Sequence, residues 1–238
     1  MRIADRIRRV VQRARLSPAA RRLSRDGMTY LKPAKLLRIE QSLAKVGQEG
    51  NPGDYLEFGV ALGGTSALIA PAAKRAGARF MGFDVFGMIP PPESEHDDAK
   101  SRDRYVEIAA GKARGIGDET YYGYRTDLVD HVAKLLAREG APVDGDRVQL
   151  VPGLFEESWP KVAGNVTAIA FAHIDCDWHD PVRFCLEAVA PRLSVGGIVV
   201  IDDYHDYEGC RVAVDRFLSD HPELVMDAGA NPLIRRRA

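Results

Sequence analysis

The chain has 238 residues, with 33 Lys and Arg against 34 Asp and Glu, and three cysteines. A chain of that length buries a full core without staples, and its near-neutral balance carries no global signal for nucleic acid. Cys176, Cys185 and Cys210 are odd in number and form no CxxC pair, which points to free thiols in a reducing, cytoplasmic setting.

No apolar run approaches the ~20 residues of a membrane span. The first 26 residues carry nine Arg, with Ile3, Ile7, Val10, Val11 and Ala14 at helical spacing. The Arg residues interrupt every apolar stretch, which argues against a signal peptide. A basic amphipathic helix of this kind suits an anionic membrane surface, or packing on its own domain or a second subunit of a homo-oligomer.

Ser17-Pro18 ends that helix, and a second pattern runs from Pro33 to Val46 before Gly47. Residues 1–50 thus read as a helical extension ahead of a domain over 51–238. In that domain 54–59 reads as a strand, 63–76 as a helix and 79–84 as a strand. The pattern then breaks from Val85 to Asp146, with Pro90-Pro91-Pro92, the charged run Glu93–Arg104, Tyr121-Tyr122-Gly123-Tyr124 and a helix over 126–138. A connection so long marks an inserted lid over about 86–140. Alternation resumes with strands at 147–151, 167–174 and 197–202, helices at 156–162, 181–193 and 208–219, and closing strands at 224–227 and 233–236. Seven strands alternating with helices predict an α/β, doubly wound, mostly parallel sheet.

Two acidic clusters follow apolar runs: His173-Ile174-Asp175-Cys176-Asp177-Trp178-His179-Asp180 after Thr167–Phe171, and Asp202-Asp203-Tyr204 after Ile198–Ile201. Buried parallel strands read as such runs, and ligands sit outside their carboxyl ends. Converging carboxylates repel unless protonated or neutralised by a cation. The simpler reading makes them helix caps, with Asp180 before Pro181 and Asp206 as N-caps. The first strand runs into Glu57-Phe58-Gly59-Val60-Ala61-Leu62-Gly63-Gly64-Thr65-Ser66. This glycine-rich turn opens a helix but lacks the dinucleotide GxGxxG spacing. Glu57 there suits a ligand ammonium group, and Asp84 after the second strand suits ribose hydroxyls.

Glu57-x-Gly59-x-x-x-Gly63-Gly64-Thr65-Ser66, Gly82-Phe83-Asp84, Pro152-Gly153-x-Phe155-Glu156-Glu157-Ser158, His173-Ile174-Asp175-Cys176-Asp177 and Asp202-Asp203-Tyr204 followed by Gly209-Cys210-Arg211 occur in that order. In this the chain resembles the macrocin O-methyltransferase family, which includes the mycinamicin and novobiocin sugar O-methyltransferases. The resemblance covers about residues 50–220. It implies a Rossmann-like class I methyltransferase fold, S-adenosylmethionine as donor, a divalent cation such as Mg2+, and a sugar hydroxyl on a glycoside or other polyhydroxy small molecule as acceptor. By position it makes Asp175, Asp202 and Asp203 metal ligands and Asp177 the general base. It places Glu57, Gly59, Gly63, Thr65 and Ser66 at the methionine end of the donor, Asp84 at its ribose, and Glu157 and Ser158 near its adenine. Trp178-His179 replaces the family's Leu-Tyr, and Val85 with Gly87-Met88 alters its Asp-Ser-Phe-Glu-Gly run, which leaves the acceptor and the base open.

His179 is the rival base, with an ordinary pKa near 6.5. A rival function is a metal-dependent hydrolase whose ion sits on His173, Asp175, Asp177 and His179, which alternate like metal ligands. Under that reading Glu57, Gly63-Gly64 and Asp84 have no role.

Overall fold

A computed structural model describes residues 10–117 and 119–236. Seven strands form one sheet in the order β3-β2-β1-β4-β5-β7-β6. They are β1 (Asp54–Phe58), β2 (Phe80–Asp84), β3 (Val148–Pro152), β4 (Ile169–Ile174), β5 (Leu193–Ile201), β6 (Leu224–Asp227) and β7 (Leu233–Arg236). β1 to β5 pair in parallel, and β7 runs antiparallel between β5 and β6. The doubly wound, mostly parallel sheet expected from the alternation is the sheet observed.

Strands β1, β2 and β4 are buried along their whole length, as a sheet covered on both faces requires. One apolar core joins α3 (Pro33–Glu49), α4 (Ser66–Arg75) and α6 (Leu128–Arg138) to one face. The other joins α7 (Phe155–Ala163), α8 (His179–Val189) and α9 (Glu208–Asp220) to the opposite face. Leu16, Ala20, Leu23, Leu36, Ile39 and Leu43 of the amino-terminal extension share the first core with Tyr55 and Ile69. From Leu16 onward the extension is therefore packed into the domain.

Several boundaries differ from the sequence expectation. Residues 10–15 are helical (α1), but the amphipathic pattern expected over the first turns lies mostly outside the described residues; Val10 and Val11 are exposed. Ser17-Pro18 also starts a helix, α2 (Pro18–Arg25), because the Ser17 side chain accepts a hydrogen bond from Ala20 N at 3.1 Å and Pro18 sits at the first helical position. The charged run in the insertion contains α5 (Ala99–Ala109), capped by Asp98, which accepts from Ser101 N at 2.9 Å. α8 begins at His179, so Asp180 lies in its first turn and is not its N-cap; the Asp180 carboxylate meets the His179 ring instead. Asp206 does not cap α9 either, because its side chain accepts from Lys35.

Strand order reverses between β1 and β4, with β2 and β3 on one side and β5 on the other. In such sheets the ligand crevice lies outside the carboxyl ends at that reversal. Phe58, Ile174 and Ile201 are register partners there, and the ladder continues through Gly59 N to Phe83 O, Asp175 N to Phe58 O and Asp202 N to Ile174 O, each 2.9 Å.

Candidate active site

The register that aligns Phe58, Ile174 and Ile201 brings the residues following them to one edge. Asp175, Asp202 and Asp203 each offer a carboxylate oxygen, and these oxygens lie within 4.8 Å of one another. Among the described residues this is the group of His, Cys, Asp or Glu side chains placed to hold a metal ion. Three hard oxygen donors suit Mg2+ or a similar cation. The His173–Asp175–Asp177–His179 set of the hydrolase reading does not converge. The His173 ring is fully buried against Glu57 and lines neither cavity, and the His179 ring lies outside the cavities that Asp175 and Asp177 line.

Two cavities meet at this edge. One, of about 320 Å³, has Asp175, Asp177, Asp202 and Asp203 on its floor and Tyr30, Tyr121 and Tyr207 around it. The other, of about 520 Å³, is lined by Ile89, Pro90, Leu154, Phe155, Trp178 and Glu157, among others. Gly59, Asp84, Tyr122, Asp175 and Asp177 line both. The pair fits an elongated ligand with a flat apolar end and a reactive end beside the carboxylates. The insertion contributes to both walls, through Ile89 and Pro90 in one and Lys100 and Arg104 in the other.

Burial and then the neighbouring carboxylates push Asp175 and Asp203 well above the usual carboxylate range. Burial, with Asp175 and Asp202 beside it, pushes Asp177 up to about 7. Burial acts the same way on Asp202, but His173 and Lys35 outweigh it and hold that group below its ordinary value. Lys35 Nζ lies 2.7 Å from Asp202 Oδ2, 2.7 Å from Asp206 Oδ2 and 2.8 Å from the Asp202 carbonyl oxygen. Asn231 Nδ2 donates to Asp202 Oδ1 at 3.3 Å. Asp177 adopts φ +59, sparsely populated for a residue with a Cβ, and its N–H donates to Asp203 Oδ2 at 3.2 Å. That backbone strain turns its carboxyl into the shared wall and is typical of functional sites.

The turn after β1 has a different internal logic from the one its glycines suggest. Gly59 has φ +92, and a Cβ there would overlap the Asp175 carbonyl oxygen, so the glycine lets β1 and β4 close together beneath the site. Gly63 lines neither cavity, and its added Cβ would meet the Val132 side chain. Thr65 and Gly64 line the smaller cavity. Asp84 Oδ2 accepts from Val60 N at 2.8 Å and Ala61 N at 2.9 Å, and Oδ1 from Phe86 N at 2.6 Å. Asp84 therefore fixes the turn as well as facing both cavities. Ala61 and Phe86, two of the residues it holds, also have positive φ.

Glu57 and Ser66 are fully enclosed and line neither cavity. Ser66 Oγ donates to Glu57 Oε2, and Glu57 Oε1 lies 3.0 Å from His173 Nδ1. His173 Nε2 lies 3.9 Å from Asp202 Oδ1, an ion-pair separation too long for a hydrogen bond. Burial opposes the imidazolium, but the Asp202 and Glu57 carboxylates outweigh it and raise His173 to about 10. Glu157 lines the larger cavity, whereas Ser158 is buried and donates to the Leu154 carbonyl oxygen at 2.8 Å. Trp159 packs against Phe58 and Phe83 in the core. His179 Nδ1 lies 2.7 Å from Asp180 Oδ1, the His179 backbone N–H donates to Asp97 Oδ1 at 2.9 Å, and the ring lies 4.6 Å from that of His96.

Lys35, Arg104 and Tyr122, which line the smaller cavity, and Asn231, which donates to Asp202, belong to no spaced motif in the sequence. Lys35 did leave a signal, since it falls on the buried stripe of α3 with Leu36, Ile39, Leu43 and Val46. A lysine on such a stripe needs a buried anion.

The strand order, the switch-point crevice and the acidic edge define a Rossmann-like class I methyltransferase architecture. Solved structures share that fold: the O-methyltransferase NovP at TM-score 0.66 and 21% identity, covering 84% of this chain and 78% of that one, and the S-adenosylhomocysteine-bound Podospora anserina methyltransferase PaMTH1 at TM-score 0.61 and 14% identity, covering 99% and 95%. The chain belongs to the macrocin O-methyltransferase (TylF) family, whose model matches residues 3–224. Similar curated proteins include a Streptomyces olivaceus 8-demethyl-8-(2,3-dimethoxy-alpha-L-rhamnosyl)-tetracenomycin-C 4'-O-methyltransferase, 27% identical over 74% of this chain and 65% of that protein. Another is the Streptomyces niveus demethyldecarbamoylnovobiocin O-methyltransferase, 23% identical over 77% and 64%. The chain thus spans just under two thirds of the length of these two relatives. Among the described residues, no helix is long and apolar enough to cross a membrane.

Proposed function

We propose that this protein transfers a methyl group from S-adenosylmethionine to a hydroxyl of a sugar-bearing small molecule, with a divalent cation such as Mg2+ at Asp175, Asp202 and Asp203. The observation that carries the reading is that these carboxylates converge in the smaller cavity beside Asp177, and that Asp175 and Asp177 also line the larger one. Family membership and the relatives' printed activities support it.

The donor supplies a methyl group on a sulfonium, and the cation supplies charge that makes a bound hydroxyl more acidic. The chain's own part is positioning and proton removal. Ile89, Pro90, Leu154 and Phe155 offer a flat heterocycle an apolar bed. Asp84 and Glu157 stand along the same wall as acceptors for hydroxyl or amino groups. Glu57 and Ser66 stand behind the turn and act through it. Asp177 receives the hydroxyl proton on its carboxylate. Without a cation, burial and its acidic neighbours raise its pKa to about 7; a cation on those neighbours would offset the repulsion and favour the ionised carboxylate that a base must be. In-line placement of methyl and oxygen supplies the rest.

Calorimetry with S-adenosylhomocysteine, with and without Mg2+, tests the reading directly. Binding of the nucleoside, with Asp202→Asn removing the Mg2+ response but not nucleoside affinity, is the expected result. No nucleoside binding at millimolar concentration would overturn it.

A further inference from the structure

We propose, resting on the methyl-transfer reading, that the Tyr122 ring holds the sulfonium of S-adenosylmethionine where the two cavities meet, and so selects the charged donor over its neutral by-product, S-adenosylhomocysteine. Gly59, Asp84, Tyr122, Asp175 and Asp177 line both cavities. Four of these end or follow strands of the sheet. Tyr122 alone comes from the insertion, and of the five it alone is aromatic.

The two ends of the donor fix what lies between them. A flat heterocycle has its apolar bed in the larger cavity, at Ile89, Pro90, Leu154 and Phe155. The amino-acid end falls to the smaller cavity, where Gly64 and Thr65 line the wall at the start of α4. The sulfur joins those ends, which sets it at the junction. A sulfonium carries no hydrogen on its charged atom and cannot donate a hydrogen bond from it. Nearby carboxylates therefore attract it without fixing its position, whereas an aromatic face gives a cation a defined contact through the ring quadrupole. Burial, then Tyr121, Asp84 and Asp177, push the Tyr122 phenol well above its ordinary value. The side chain is thus neutral, and the ring is what it offers.

The ring is also held in place. The Tyr121 ring centre lies 4.5 Å from it, and Tyr30 meets it edge-on at 5.9 Å. Tyr124 Oη donates to the Ile108 carbonyl oxygen at 2.6 Å and accepts from Ala113 N at 3.2 Å, tying the turn to the end of α5. A Cβ on Gly123 would lie 3.2 Å from the Gly87 carbonyl oxygen, so glycine lets the segment after β2 close against the turn. Tyr122 itself stays partly exposed. Once the methyl group has left, the sulfur is a neutral thioether and the attraction of the ring falls with the charge. The same contact thus favours exchange of by-product for fresh donor.

The test is calorimetry on the full chain with Mg2+ present and no acceptor, titrating S-adenosylmethionine and S-adenosylhomocysteine separately. The proteins are the parent, Tyr122→Phe and Tyr122→Leu, in all of which every carboxylate stays in place. The parent should bind S-adenosylmethionine the more tightly, and Tyr122→Leu should cut that preference about fivefold or more, with S-adenosylhomocysteine affinity changing far less. Tyr122→Phe should keep the preference, since the ring remains. Equal affinities in the parent, equal losses of both ligands in Tyr122→Leu, or a preference in Tyr122→Phe as low as that in Tyr122→Leu overturns the proposal. A parent that binds neither ligand would instead overturn methyl transfer.

Discussion

Lys35 Nζ and Asp202 Oδ2 lie 2.7 Å apart, joining the amino-terminal extension to the end of β5 across 167 residues. Burial opposes the ammonium, but Asp202 and Asp206 outweigh it and keep Lys35 charged. The lysine is thus the internal counter-ion of the carboxylate edge. Breaking a buried pair by removing one partner costs about 3–5 kcal/mol. Lys35→Met should lose stability of that order in urea denaturation with EDTA. Added Mg2+ should recover more stability in the variant than in the parent, because the ion takes over the neutralisation. An equal Mg2+ effect in both proteins would count against a shared electrostatic role.

Gly59 makes a second test of the same edge. Its φ of +92 and the Asp175 carbonyl oxygen leave no room for a Cβ. Gly59→Ala should destabilise by about 3 kcal/mol or more and abolish the Mg2+ shift in melting temperature, since Asp175 must move. Gly77→Ala is the control: its φ is +70 but the space is open, so only the left-handed penalty of about 1–2 kcal/mol applies. Equal losses would mean that backbone strain, not the close approach, governs Gly59.

Proton removal separates Asp177 from His179. Asp177→Asn should lower kcat by about 10²–10⁴ while the Mg2+-induced rise in melting temperature persists. His179→Ala should leave kcat within a few-fold, because its ring lies outside both cavities, against His96 and Asp180. A severe kcat loss in His179→Ala with stability unchanged would transfer the role of base to it.

The strands of the site were legible because buried parallel strands are apolar runs, and the acids after β4 and β5 follow them directly. Asp175 and Asp202 therefore came together from pattern alone. What was not legible involves side-chain direction and distant partners. Glu57 precedes the turn as an acid serving a ligand would, yet the β1–β4 register places it beside His173, where both side chains are fully buried. α5 hides in a run of charges because two of its side chains, Ser101 and Ile108, are buried and leave only a faint apolar stripe. Asp180 and Asp206 read as caps from local sequence, while His179 and Lys35 claim their carboxylates in three dimensions.

The site's proton affinities set a pH dependence with a definite sign. In the unfolded chain these aspartates titrate near 3.9, whereas Asp177 is raised to about 7 and Asp175 and Asp203 are raised as well. A raised carboxyl contributes stability that is full below the unfolded value and lost as pH climbs through the folded one. Asp202, held low by His173 and Lys35 against its burial, acts oppositely, its contribution being lost as pH falls below about 4. Between about pH 4 and 7, then, the Asp177 contribution erodes the stability of the metal-free protein while Asp202 stays ionised. A cation binds the deprotonated carboxylates, so the Mg2+-induced rise in melting temperature should grow from about pH 5 to pH 8. Asp177→Asn should flatten the metal-free profile over the same range. Melting curves in EDTA and in Mg2+ across that range check both, and a Mg2+ shift independent of pH would remove the carboxylate edge as the cation's site.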